Sequence, residues 1–486
     1  MSISSALNNA LSGLNASSRS AELISNNVAN ALTPGYSRQT LDLSSSVLNG
    51  RGVGVKVSAV RIAEDPVTTA SRRLADANVG SGETMTRSLD RIASALGNPG
   101  DPNALASKAV AFEVALQASA NDPSSSSAQS NVVSTAQAFT STMNQISTEN
   151  RRIRMDADAS IQREVGVVNS ALQQIGSLNS EIQMRSASGG DVAALMDQRK
   201  KLIDQISSII PIKTARRDND TLAIYSAGGQ TLLDGIPAEL GFNQSGLITP
   251  DMTIGNGALS GLTINGRNME IGTGSGLLDG GSLSAHFEIR DYTVPGFDAQ
   301  LDAYAVDVVE RFQSPSVDPT LGTGDAGLFT DGGLAFTAGN EQGLAGRLSV
   351  NALVNPREGG EIWRVRDGLN AASPGFISSS DIVGNLLNAA SATRTPSAGL
   401  GVVTPMNMAG FAAEITSQRA TNAVQSESFT ATANIARDGL MASESASTGV
   451  RTDEEMQRLL LVEQAFAANA RVVSVADNLI QKLLEM

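Results

Sequence analysis

Both ends of this chain carry the same periodic pattern. Near the start, Ile3, Leu7, Ala10, Leu14, Ser17, Ala21, Ile24 and Val28 follow one another in steps of four and three. Near the end, Leu459, Val462, Phe466, Asn469, Val473, Ala476, Ile480 and Leu483 do the same. A 3.5-residue repeat keeps one narrow stripe of a helix turned toward a partner, so each end predicts a coiled-coil helix. Such a helix does not stand alone. Burying a large apolar side chain stabilises by about 1.5–3 kcal/mol, whereas ordering the backbone costs about 1–2 kcal/mol for every residue. The first stripe offers only Ile3, Leu7, Leu14, Ile24 and Val28 as large apolar groups. The two ends therefore have to pair, either in a closed monomeric bundle or as part of an assembly. In the second case both are expected to be mobile in the free monomer and to fold on assembly. Asn469 puts a polar group on the last seam, a device that sets register at some cost in stability.

The borders of the end helices are also legible. Pro34 cannot continue a helix, and Thr33-Pro34-Gly35-Tyr36 has Pro-Gly at the central positions of a type II turn. Thr452-Asp-Glu-Glu455 predicts a capping box, with the Thr452 hydroxyl on the helix amides and Glu455 reaching back.

Between the ends lie further helical seams. Val132, Ala136, Phe139, Met143, Ile146, Asn150 and Ile153 form one; Ile161, Val165, Val168, Leu172, Ile175, Asn179 and Ile182 form another, out of phase with the first around Ala157. Together they predict one rod helix over about 128–185, followed by another over 195–210 that Pro211 stops. From about 213 to 281 the text turns rich in Gly, Thr, Ile and Leu. It predicts one hairpin over 221–233 and another over 262–271, turned by Asn265-Gly266. Helices return near 295–312 and from about 382, with a short β patch at 346–354 between them. The fold class is therefore mainly α with an inserted β-rich domain. Paired N- and C-terminal coiled-coil helices, 1–45 with 441–486, would form one domain. A long-helix core with a small β patch would take 46–212 with 285–440, and 213–284 would be the outer β domain.

Composition narrows the chemistry. The 486 residues include no Cys, one His and one Trp; aromatics make up 3% against an apolar fraction of 41%. Without Cys there is no thiol nucleophile, disulfide or thiolate metal site. Any His-based triad or metal cluster would need His286, which reads as a packing or surface residue. Gly272-Thr-Gly-Ser-Gly276 lacks the lysine and following helix of a phosphate loop. Asp218-Asn-Asp220 has Leu222 at a calcium-ligand position and reads as the lead-in to a hairpin. No catalytic residue, cofactor or metal is expected, and the chain reads as a structural protein rather than an enzyme. The net charge is −14, and the densest basic clusters, Arg151-Arg152-Ile-Arg154 and Arg199-Lys200-Lys201, lie beside acids, so nucleic acid is not an expected partner. No unbroken apolar run reaches about 18 residues, so no membrane insertion is expected. The first residues lack the basic and apolar regions of a secretory signal.

The stretch Leu23-Ile-Ser-Asn-Asn-Val-Ala-Asn-Ala-Leu-Thr-Pro-Gly-Tyr-Ser-Arg38 closely resembles the opening signature of the bacterial flagellar rod, hook and hook-associated proteins. Asn27, Asn30, Thr33, Pro34, Gly35 and Tyr36 stand at the signature positions. Gly52-Val-Gly-Val-Lys-Val57, Gly189-Gly-Asp-Val-Ala-Ala-Leu-Met-Asp-Gln-Arg199 and Gly281-Ser-Leu-Ser-Ala-His-Phe-Glu-Ile-Arg290 are similar to segments of the hook-associated members, and the closing helix from Asp453 matches the family's last one. The β-rich region looks shorter than in large members. The resemblance implies a structural subunit at the hook–filament junction, exported unfolded by the flagellar type III apparatus without a cleaved signal. It would be extracellular, on the flagellum. Implied partners are copies of itself in a ring-like layer, the hook protein, a second hook-associated junction protein, and an export chaperone on the C-terminal segment. The assembly interface would be Ile3, Leu7, Leu14, Ile24 and Val28 with Leu459, Val462, Phe466, Val473, Ile480 and Leu483. A hook or rod subunit is the alternative within the family, and a soluble enzyme the one outside it.

Overall fold

The computed structural model describes residues 3–33, 35–48, 51–98, 100–188, 190–395 and 404–485. The chain opens with α1 (Ile3–Ala29) and a long hairpin of β1 (Gln39–Leu48) and β2 (Arg51–Ile62). Then come α2 (Pro66–Leu96), α3 (Leu105–Asn121), α4 (Ser126–Ala187) and α5 (Ala193–Ser207). The strands β3 (Ile212–Arg216), β4 (Leu222–Ser226), β5 (Thr231–Asp234) and β6 (Ile236–Pro237) form one antiparallel sheet. A second contains β7 (Leu240–Gly241), β8 (Leu262–Ile264) and β9 (Arg267–Met269). Next are α6 (Gly281–Glu288), a π-helical turn at Ile289–Thr293, and α7 (Val294–Phe312). A two-stranded ribbon of β10 (Phe329–Asp331) and β11 (Leu348–Val350) precedes α8 (Arg364–Asp367) and α9 (Asp381–Ser391). The chain closes with α10 (Met408–Thr448) and α11 (Thr452–Leu484).

The rod helix organises everything outside the termini. At 1.5 Å per residue, α4 is about 93 Å long. Both of its seams are buried, but in different cores. Val132 to Ala157 packs with α3, α7, α9 and the start of α10. Ile161 to Ile175 packs with α5, α6 and the two sheets. The break in phase around Ala157 is where one core ends and the other begins. Two charged residues are buried there. Arg154 donates to the carbonyls of Arg290 (2.9 Å), Thr249 (3.2 Å) and Met252 (2.7 Å). Asp158 accepts from Arg290 Nη1 at 2.6 Å and from the Ser245 amide at 2.7 Å. Burying a charge is costly unless hydrogen bonds or an opposite charge compensate it, and with these bonds the two side chains lock the rod to the loops of the β module.

Asparagines on α4 dock the strands. Asn169 donates to the Leu240 carbonyl (2.7 Å) and accepts from the Leu240 amide (2.9 Å). Asn179 does the same for Leu222, at 2.8 and 3.3 Å. Each amide side chain makes the paired bonds of a strand neighbour, which accounts for the polar Asn179 on an otherwise apolar seam. In the hairpin of β8 and β9, Asn265 (φ 49°) and Gly266 (φ 76°) both take the positive φ of a type I′ turn, as the Asn-Gly pair predicts.

The candidate assembly site at the paired termini

Helices α1 and α11 pack antiparallel, an arrangement fixed by two contacts. At one end Asn27 meets Glu455; further along, Gly13 meets Asn469. A Cβ at Gly13 would lie 2.6 Å from Asn469 Nδ2, so the polar residue on the last seam fits only because a glycine faces it. The hairpin of β1 and β2 lies against the same helix, where Ser12 Oγ accepts from the Val55 amide at 3.1 Å.

The core of the site is a single amide. Asn27 is fully buried. Its Nδ2 donates to the Gln39 carbonyl (2.8 Å) and to Glu455 Oε2 (3.1 Å). Its Oδ1 accepts from the Tyr36 hydroxyl (2.9 Å) and the Gln39 amide (3.0 Å). All four bonds an asparagine can make are used. Glu455, 1% exposed, takes Arg458 on its other oxygen at 2.9 Å. Burial raises the Tyr36 hydroxyl pKa above its ordinary value, with the Asp197 and Glu455 charges adding to the effect.

This overturns the expected capping box. The residue before α11 is Arg451, and no side chain caps its first amides. Glu455 turns away from its own helix end because Asn27 presents a buried donor, a stronger demand than an exposed amide that water can satisfy.

The other signature residues shape the approach to that node. Asn30 Nδ2 donates to the Asn26 carbonyl and side chain (3.0 and 2.9 Å) as the helix ends. The Tyr36 amide closes back on the Thr33 carbonyl at 3.1 Å, with Gly35 at φ 77°. Pro34 lies outside the described residues.

A second polar node lies just behind the first. Glu444 on α10 accepts from Thr69 Oγ1 (2.8 Å), Arg72 Nε (2.5 Å) and Lys200 Nζ (3.1 Å). Lys200 also donates to Ser37 Oγ at 3.1 Å, and Arg72 reaches Asp76 and Asp204 at 2.5 and 2.7 Å. Burial alone would raise the Glu444 carboxyl, but Lys200, Thr69 and Arg72 outweigh it and hold the pKa below its usual range. The node ties the turn after α1 to α2, α5 and α10. Sequence reasoning missed Ser37, Lys200 and Glu444 because their partners are far away along the chain and leave no local pattern.

The seam residues divide by exposure. Ile24 is buried; Ile3, Leu7, Leu14, Val28, Leu459, Val462, Val473 and Ile480 are half-buried. Phe466 and Leu483 are exposed, at 44% and 61%. Leu460, Leu461, Val475 and Leu479 of the same helix are exposed as well. One 18-residue window within Met408–Leu484 reaches a mean hydropathy of 1.3 with only 6% of it buried, so by length and composition one stretch is apolar enough to cross a membrane. The sequence expectation counted unbroken apolar residues, which charges such as Glu463 interrupt; a window average passes over them.

His286 lies on α6 with Nε2 3.7 Å from Glu164 Oε1. Burial, with Arg87 and Arg163 nearby, pulls its pKa down to about 4, so the imidazole is neutral near pH 7. Among the described residues no group of three or more metal-ligating side chains occurs.

Three stretches of the chain match profiles of known protein families. Residues 89–316 match the profile described as "Flagellar hook-associated protein FlgK helical domain". Residues 7–36 match "Flagella basal body rod protein", and 445–486 match "Flagellar basal body rod FlgEFG protein C-terminal". All three profiles describe flagellar axial proteins, and the longest is that of the hook-associated helical domain. The relative named flagellar hook-associated protein 1 in Bacillus subtilis is 25% identical over 519 residues, covering 98% of this chain and 97% of that protein. Its namesake in Salmonella typhimurium is 28% identical over 247 residues, and that match spans 49% of this chain and 44% of the Salmonella protein. The solved flagellar hook junction protein FlgK of Burkholderia pseudomallei aligns over 54% of this chain and 47% of its own, with a TM-score of 0.43 and 20% identity. Asn27 lies in the stretch that matches the rod-protein profile and Glu455 in the stretch that matches the C-terminal one, and together they fasten the first helix to the last.

Proposed function

We propose that this chain is a structural, non-catalytic subunit of the bacterial flagellum that joins hook to filament and assembles through its paired terminal helices. One observation carries the reading. The first and last helices are fastened by a fully satisfied buried node, yet α11 leaves Leu460, Leu461, Phe466, Val475, Leu479 and Leu483 uncovered. A monomer rarely leaves so apolar a face bare unless a neighbour covers it. The assembly interface is Ile3, Leu7, Leu14, Ile24 and Val28 with Leu459, Val462, Phe466, Val473, Ile480 and Leu483. The signature turn sets the angle at which this pair leaves the body. The neighbours are other copies in the same layer, the hook protein on one side and a second junction protein on the other. The chain reaches them unfolded through the flagellar export route, with a chaperone covering its C-terminal segment beforehand.

The test is electron microscopy of cells lacking the chain. Hooks without filaments, with filament subunit released into the medium, are expected; normal filaments would overturn the reading. Deleting residues 1–30 is expected to abolish assembly while the cores around α4 stay folded. The match of 89–316 to the hook-associated helical domain favours this reading over a hook or rod subunit.

A further inference from the structure

The joint between the paired termini and the body encloses a cavity of about 280 Å³. Its wall is drawn from distant parts of the chain: Ser37 after the signature turn, Ile62 at the end of β2, Thr69 on α2, Arg199 on α5, Leu222 on β4 and Thr448 at the end of α10. The volume is at the lower edge of ligand sites and restricts an occupant to a small molecule.

Most charges around this cavity are matched; among the described residues the Arg199 guanidinium and the Asp220 carboxylate have no ion-pair partner. Arg73 pairs with Asp204, Lys200 with Glu444 and Arg216 with Glu64. Of the acids, Asp197 pairs with Lys201, and the Asp220 carboxylate accepts from Ser186. Arg199 is 6% exposed, and among the described residues no carboxylate lies within ion-pair distance of it. It donates from Nη1 alone, to Asn179 Oδ1 at 2.8 Å and the Asp220 carbonyl at 2.7 Å. Its Nε and Nη2 have no acceptor among the described residues. A guanidinium does not shed its proton near neutral pH, and the Asp220 charge offsets its burial only in part, so an anion on the two free nitrogens would complete the compensation. Its planar fork is shaped for two oxygens of one acid group. Burial draws its pKa down to about 10, with the Asp220 charge only partly offsetting that.

We propose that this cavity binds a small oxyanion, a phosphate or a carboxylate, on the free side of Arg199. The bound anion ties α5 to the signature turn and to the end of α10. It thereby stiffens the joint that carries the terminal helices.

The full-length chain is examined by thermal unfolding and by titration calorimetry, with inorganic phosphate in one arm and malonate in the other. Chloride at matched ionic strength serves as the reference. Saturating binding heat is expected, together with a rise in unfolding temperature on the order of 1–3 °C, in at least one arm. The arm that responds identifies the acid group. Arg199→Gln removes the fork, and Ala70→Leu fills the cavity while leaving Arg199 in place; each is expected to abolish the shift. Arg163→Gln, a surface arginine on α4, is expected to retain it. No heat and no shift with either anion in the unaltered chain would overturn the proposal. So would a shift that survives in whichever of R199Q and A70L folds.

Discussion

Glu455 completes the hydrogen bonding of Asn27 across 428 residues of sequence. No local rule places the two together. Once they meet, each accounts for the burial of the other, and the two ends of the chain become one unit.

Removing the amide is therefore costly. Asn27→Ala leaves Glu455 and the Tyr36 hydroxyl buried without their partner, a loss on the order of 2–4 kcal/mol. The effect belongs to the termini, so amide exchange of 452–484 is expected to quicken while that of 132–153 is unchanged. Asn27→Asp sets a second carboxylate beside Glu455, and its defect is expected to shrink as the pH falls and one of the pair takes up a proton.

Gly13 and Asn469 form a steric pair. Gly13→Leu drives a side chain into the space Asn469 occupies and is expected to weaken the pairing of α1 with α11 by about 1–3 kcal/mol. Asn469→Ala added to it clears that space and is expected to restore part of the loss. The measurement is a double-mutant cycle by urea unfolding, and strict additivity would show that the two residues do not meet.

Asp298 makes stability depend on pH. Burial raises its carboxyl to about 7; the Asp302 charge adds to this, while Asn150, Arg154 and Arg151 oppose it. The native state thus keeps a proton that the unfolded chain releases near pH 4. The contribution is present in full below that value and is lost as the pH rises from about 4 through about 7. Asp298→Asn removes this loss and is expected to make the chain more stable at pH 8 by an amount on the order of 1–3 kcal/mol. Denaturant midpoints at pH 5 and pH 8 check the sign: the variant's advantage grows with pH.

The uncovered face of α11 bears on dynamics. In a dilute monomer the amides of 3–28 and 459–483 are expected to exchange much faster than those of 132–153, which lie in a closed core. On assembly the same amides are expected to slow. Equal protection of ends and core in the monomer would show that the pair is stable without neighbours.

Local periodicity carried much of the fold. The seams Val132–Ile153 and Ile161–Ile182 are buried residue for residue, because a helix turns sequence spacing directly into a face. Their loss of phase at Ala157 falls where one core gives way to the other, a division that only the packed structure shows. The hairpin at Asn265-Gly266 was legible for the same reason: positive φ at two successive residues is a local property of residue type.

What tertiary structure decided is which polar residues matter. Thr452 and Glu455 spell a capping box, yet the fold spends Glu455 on Asn27, because satisfying a buried amide outweighs capping an end that water reaches. Glu444, Lys200 and Ser37 carry no mark in the sequence, since an ion pair depends on separation in space and not along the chain. The sequence by itself determined that two helical ends needed partners. Only the packed chain decided that they meet each other first, through one asparagine, and still leave an apolar face for a neighbour.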